Sequence, residues 1–292
     1  MLRHKRRTIL LLVSLLVVFG TLLAVSLRMM WKAQDGTAVA NVTTERLTVD
    51  GIPVVAYCNK TAGARPLVLV SHGLTGNRDT FTYAATVLAQ MGFFVVTPDN
   101  WGHGERGGDG ATIGEAIVKT AEDLDTLIDH YAQDERVDAD RLGLIGFSMG
   151  GLVDYYYVAN GNHRADLVGI ICATPDWKTM TDNPSMLQTV AAGKATALAS
   201  EAEKEAADQY LLANNPYDKV MASTGTVYYL LSGGQDPVIP LAGTQALYDA
   251  LKDQGRAALV VDPDKGHDVS GENLSKLLEY FHDHLLADEP AQ

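Results

Sequence analysis

The sequence predicts an α/β fold, a mostly parallel sheet with helices on both faces, preceded by one apolar N-terminal helix. Three observations predict it. Short apolar, β-branched runs alternate with amphipathic stretches of roughly 10–15 residues, the pattern of strands joined by crossover helices. The chain has 292 residues, 47% hydrophobic and 20% charged, enough apolar material for one large core or two small ones. The chemically capable side chains fall just after the strand-like runs, where ligands collect in open sheets of this kind.

The elements follow in order. Arg3, Lys5, Arg6 and Arg7 precede an apolar run from Ile9 to Leu27, nineteen residues. At about 1.5 Å per residue it nearly crosses a hydrocarbon core of roughly 30 Å. Residues 1–30 are therefore expected to form an uncleaved membrane anchor, single-pass, with the body outside the cytoplasm. A cleaved secretory signal is the alternative, its nearest small-x-small site being Ala38-Val39-Ala40. Residues 31–44 read as a linker and 45–288 as the folded domain.

Within that domain TERLTVDGIPVVAYC and PLVLVSHG are strand-like, DTFTYAATVLAQM helical, GFFVVTPD a strand and TIGEAIVKTAEDLDTLIDHYAQD a helix. RLGLIGFS, MGGLVDYYYVANG and LVGIICATPD continue as strand, helix and strand. An Ala- and Glu-rich stretch within 177–222 breaks the alternation and is either a lid or a solvated helix pair. TVYYLLSGGQD, LAGTQALYDALKDQ, AALVVDPD and ENLSKLLEYFHDHLL close the series.

Of 23 Lys/Arg and 36 Asp/Glu, six and one respectively lie in the first 40 residues, which leaves 17 basic against 35 acidic residues in the body. So acidic a body has no electrostatic reason to bind nucleic acid. Cys58 and Cys172 sit in strand-like contexts and are expected as buried thiols. Two cysteines without Cys/His spacing make neither a disulfide framework nor a zinc site, so no metal is expected.

LGLIGFSMGGLV, residues 142–153, fits G-x-S-x-G between a strand and a helix. A serine on so tight a turn needs small residues two before and two after, here Gly146 and Gly150. Ser148 is then a candidate nucleophile, which needs a base, and the base an orienting acid, in the chain order Ser, Asp or Glu, His. His267, in the loop after AALVVDPD, and Asp236, after TVYYLLSGG, meet that order. Asp262, Asp264 and Asp268 are rivals to Asp236, and His72 and His103 lie on earlier strand-end loops. Attack on a carbonyl develops an oxyanion that needs backbone N–H donors. Met149, after the nucleophile, and Leu74, in the SHGLTGNRD loop shaped by His72 and Gly73, are the candidates. Gly102–Gly107 matches G-x-G-x-x-G, but the helix behind it leaves no room for the second strand of a dinucleotide site, and no cofactor is expected. Trp101, Trp177 and the Tyr155–Tyr157 run are candidates for an aromatic pocket or for core.

SHGLTGNRD, TPDNWGHGER, GFSMGG, SGGQDPVIP and KGHD, in that order, resemble the α/β-hydrolase fold superfamily over roughly residues 45–287. Within it the chain looks most like serine esterases related to dienelactone hydrolases and to prolyl-oligopeptidase-type catalytic domains. The resemblance implies an eight-stranded-type sheet, Ser148 as nucleophile, His267 as base, Asp236 as acid and the Leu74 and Met149 amides as oxyanion hole. It also implies that Asp99 and His103 shape their loop. A serine nucleophile departs from dienelactone hydrolases proper, which use cysteine. The implied activity is hydrolysis of a small or medium carboxylic ester through an acyl-enzyme, without cofactor. A peptidase or amidase on the same triad, for which no propeller-like domain is seen, and an inactive hydrolase fold used for binding are the alternatives.

Overall fold

The computed structural model describes residues 41–61, 63–107, 112–182 and 201–286. Eight strands form one sheet: β1 (Val42–Val49), β2 (Ile52–Asn59), β3 (Arg65–Ser71), β4 (Phe94–Pro98), β5 (Val137–Phe147), β6 (Leu167–Ile171), β7 (Val227–Gly233) and β8 (Ala257–Asp262). Their order is β1-β2-β4-β3-β5-β6-β7-β8. From β4 to β8 all neighbours are parallel, and β2 pairs antiparallel with both β1 and β4. The TERLTVDGIPVVAYC run is thus a hairpin, not one strand. Asp50 and Gly51 both take positive φ, 47° and 83°, the backbone that a two-residue type I′ turn demands. β1 opens at Val42, buried and paired with Asn59, so the folded body starts a little before residue 45.

The described helices are α1 (Thr82–Met91), α2 (Ile113–Tyr131), α3 (Met149–Asn160), α4 (Lys178–Thr181), α5 (Glu201–Ala213), α6 (Tyr217–Ala222), α7 (Leu241–Leu251) and α8 (Gly271–Leu285). Helix α2 starts at a capping box, in which Thr112 accepts from the Glu115 N–H and Glu115 reaches back to the Thr112 N–H. Strand periodicity sorts the core into two layers. Leu67 and Leu69 of β3 join a cluster with α2, α3 and α7, whereas α1 and α8 cover the opposite face. There Gly143 and Gly169 leave room for Phe281 of α8; a Cβ at either would lie 2.8 or 2.9 Å from its ring. The described part of the 177–222 stretch docks on α2 and α3, with Tyr210 and Leu211 against Gly114, and with buried Trp177 stacked on Tyr156 and held by Asn215.

One expectation is corrected. Among the described residues no helix is long and apolar enough to cross a membrane, and a cell-membrane location is not retained. The Ile9–Leu27 run on which it rested lies outside the described residues, as does the expected anchor over 1–30.

Candidate active site

The loops after β3, β5, β7 and β8 converge at the carboxyl end of the parallel strands. Ser148 is the single residue between β5 and α3, with φ 52° and ψ −115°. That backbone is strained for a residue with a Cβ and persists only where the surroundings impose it. Here they do. A Cβ on Gly146 would meet the Gly150 backbone, and one on Gly150 would overlap the Ser71 carbonyl of β3. The Ser148 N–H donates to Ile171 of β6 at 2.8 Å, which ties the turn to the neighbouring strand.

Ser148 Oγ lies 2.7 Å from His267 Nε2, and His267 Nδ1 lies 2.7 Å from Asp236 Oδ2. The other Asp236 oxygen accepts the Val238 and Ile239 N–H groups at 2.8 and 3.0 Å, which fixes the carboxylate plane. With Nδ1 facing a carboxylate it carries the proton, and Nε2 is left to accept from the serine. The three side chains therefore form one hydrogen-bonded chain. Of the rival acids, Asp262 is engaged elsewhere, accepting from the Ser270 N–H and from Asn273, and Asp268 accepts from Val269.

Met149 directly follows the serine, and Leu74 lies in the loop after β3, next to Gly73, which packs against Phe147. Met149 is the first residue of α3, so its N–H has no intrahelical acceptor. Among the described residues neither its N–H nor that of Leu74 bonds to another backbone carbonyl outside helices and strands. The loop bearing Leu74 is built on His72, buried and neutral: Nδ1–H donates to the Gly73 carbonyl at 2.8 Å and Nε2 accepts the Asn100 N–H at 3.1 Å. Burial holds this imidazole down at about 4, with His103 nearby adding to the effect. Asn100 returns a side-chain bond to the His72 carbonyl, and Asp99 accepts the N–H groups of Arg78 and Glu105, joining this loop to the one after β4. Gly102–Gly107 is a turn with one 3-10 stretch at Gly104–Arg106.

Three features were not read from the sequence. Asp154 of α3 is fully buried, and burial pushes its carboxyl well above the usual carboxylate range, with the Ser71 hydroxyl beside it only partly offsetting this. An acid between Leu152–Val153 and Tyr155 was the available signal. Phe147 stands beside His267 with Phe81 edge-on behind it, whereas the aromatic candidates Tyr155, Tyr157 and Trp177 are core and Trp101 sits under Arg106 and Lys119. Finally, Cys172 takes φ 52° at the end of β6, and its Sγ, an Asp236 oxygen and a His267 nitrogen lie within 4.8 Å of one another. Burial raises the Cys172 thiol to about 12, so it is protonated, and Nδ1 is engaged by Asp236; neither property suits metal ligation. Both cysteines are free and buried.

The chain is similar to several known proteins. YitV of Bacillus subtilis (strain 168) is 25% identical over 270 residues, covering 84% of this chain and 100% of that one. Esterase YjfP of Escherichia coli (strain K12) is 25% identical over 241 residues, covering 75% and 89%. TT1662 from Thermus thermophilus has the same fold, with a TM-score of 0.63, 23% identity and coverage of 83% and 98%. The sequence profile of the prolyl oligopeptidase family matches residues 79–287, a span that holds Ser148, Asp236 and His267. The chain belongs to the prolyl oligopeptidase family and is a serine hydrolase of the esterase and S9-peptidase kind.

Proposed function

We propose that the protein hydrolyses a carboxylic ester of small to medium size through an acyl-enzyme on Ser148. The observation that carries this is the unbroken Ser148–His267–Asp236 hydrogen-bond chain, 2.7 Å at each link. As Ser148 Oγ bonds to the ester carbonyl carbon, its proton passes to His267 Nε2. Asp236 holds the imidazole in the required tautomer and offsets its positive charge. The carbonyl oxygen, now an oxyanion, is received by the Leu74 and Met149 N–H groups. Collapse breaks the ester C–O bond, the leaving alcohol takes the proton from Nε2, and water repeats the sequence to release the acid and restore Ser148.

The name of the Escherichia coli relative supports an ester as substrate over an amide. A series of nitrophenyl esters of increasing acyl length, run against aminoacyl amides, tests this. Highest kcat/KM on short and medium esters is expected; a maximum at long acyl chains, or on amides, would refute it.

A further inference from the structure

The wall beside the base is aromatic and partly open. The Phe147 ring centre lies 5.5 Å from that of His267, tilted by 42°, and Phe81 meets Phe147 edge-on at 6.4 Å. Phe147 directly precedes Ser148, and Phe81 ends the same loop that carries Leu74. Gly73 makes this packing possible, because a Cβ there would lie 2.8 Å from the Phe147 ring. Both rings are half-buried, left partly to solvent although the protein has a large interior for them.

Acyl transfer gives this wall a defined neighbour. The leaving oxygen must come within hydrogen-bond reach of Nε2 to receive its proton. Its first carbon atoms then lie close to the imidazole, whose ring neighbour is Phe147. Building on the hydrolase reading above, we infer that Phe147 and Phe81 form a leaving-group subsite that takes aryl or bulky apolar alcohols. Aromatic rings at separations of about 4.5–7 Å attract one another beyond simple area burial, so an aryl alcohol is the best match. The acyl part of the substrate lies elsewhere and is not selected by this pair.

Butyrate esters of benzyl alcohol and ethanol, two alcohols of similar acidity, share one acyl-enzyme and differ only in the group this wall would meet. Wild type should favour the benzyl ester in kcat/KM. Phe81→Ala, which does not touch His267, and Phe147→Leu, which keeps an apolar side chain there, should each cut the benzyl-to-ethyl ratio by about tenfold, with the loss in acylation. An unchanged ratio with both esters slowed alike would overturn the proposal and make Phe147 a support for the imidazole. A loss confined to hydrolysis of the shared acyl-enzyme would also overturn it, by placing the pair on the acyl side. Wild type that forms no acyl-enzyme with either ester would refute the hydrolase reading itself, and the subsite with it.

Discussion

The two sides of the site are held by different forces. On the Ser148 side the turn is positioned by close contact among backbones: β3, β5 and α3 meet where Gly146 and Gly150 leave no space for a Cβ. On the base side His267 and Asp236 are positioned by directed hydrogen bonds from loops after β7 and β8. β8 is an edge strand and is half-buried along its whole length, whereas β5 is buried from Leu142 to Gly146. Steric support fails in stability when it is disturbed, since nothing nearby can yield. Polar support fails in chemistry, since the fold survives a changed hydrogen bond but the tautomer does not.

Asp236→Asn should have the largest effect and separate the two sides most sharply. The amide oxygen can still accept from Val238 and Ile239, so thermal stability should stay near wild type. The amide would no longer hold Nδ1 protonated, and kcat/KM should fall by about 10⁴, or roughly 5 kcal/mol of barrier. Equal losses in stability and rate would erase the distinction. Gly150→Ala should do the reverse. Its Cβ would overlap the Ser71 carbonyl, and unfolding free energy measured in urea should drop by at least about 3 kcal/mol. Wild-type stability in that variant would mean that the elbow is not sterically held.

His72 links the two kinds of support, being a buried polar group inside the sterically packed loop. Its pKa is lowered from 6.5 to about 4 in the folded protein, so the unfolded chain holds the proton more tightly. Its contribution to stability is complete above pH 6.5 and is lost as the pH falls toward 4, by about 3 kcal/mol. Denaturation curves across that window should show the fall, with Asp99 and His103 as the nearby titratable groups, and His72→Asn should flatten it. An equally steep fall in the variant would exclude His72 as its source. The smallest effect belongs to Asp154→Asn. A neutral carboxylic acid and an amide are nearly isosteric, so stability should change by less than about 1 kcal/mol. A severe loss would show that the ionised carboxylate is needed beneath the elbow.

What the sequence revealed follows the same division. The elbow is written contiguously in GFSMGG, where close backbone contact accounts for Gly146 and Gly150. Asp236 and His267 were legible because each lies just past a strand, although the bonds between them join distant loops. The β1–β2 hairpin was obscured because Asp50-Gly51 lies between apolar runs that read as one strand, though that dipeptide is itself a hairpin signal. The Phe81–Phe147 pair had no local signature at all. Phe147 ends β5 and Phe81 ends the loop after β3, and only the fold sets Phe147 beside the imidazole and Phe81 against Phe147.

Covalent labelling tests most directly whether Ser148 is the nucleophile. A fluorophosphonate probe should modify wild type at the peptide containing Ser148, as read by mass spectrometry, and should leave Ser148→Ala unlabelled. Labelling that persists in the alanine variant would contradict the assignment.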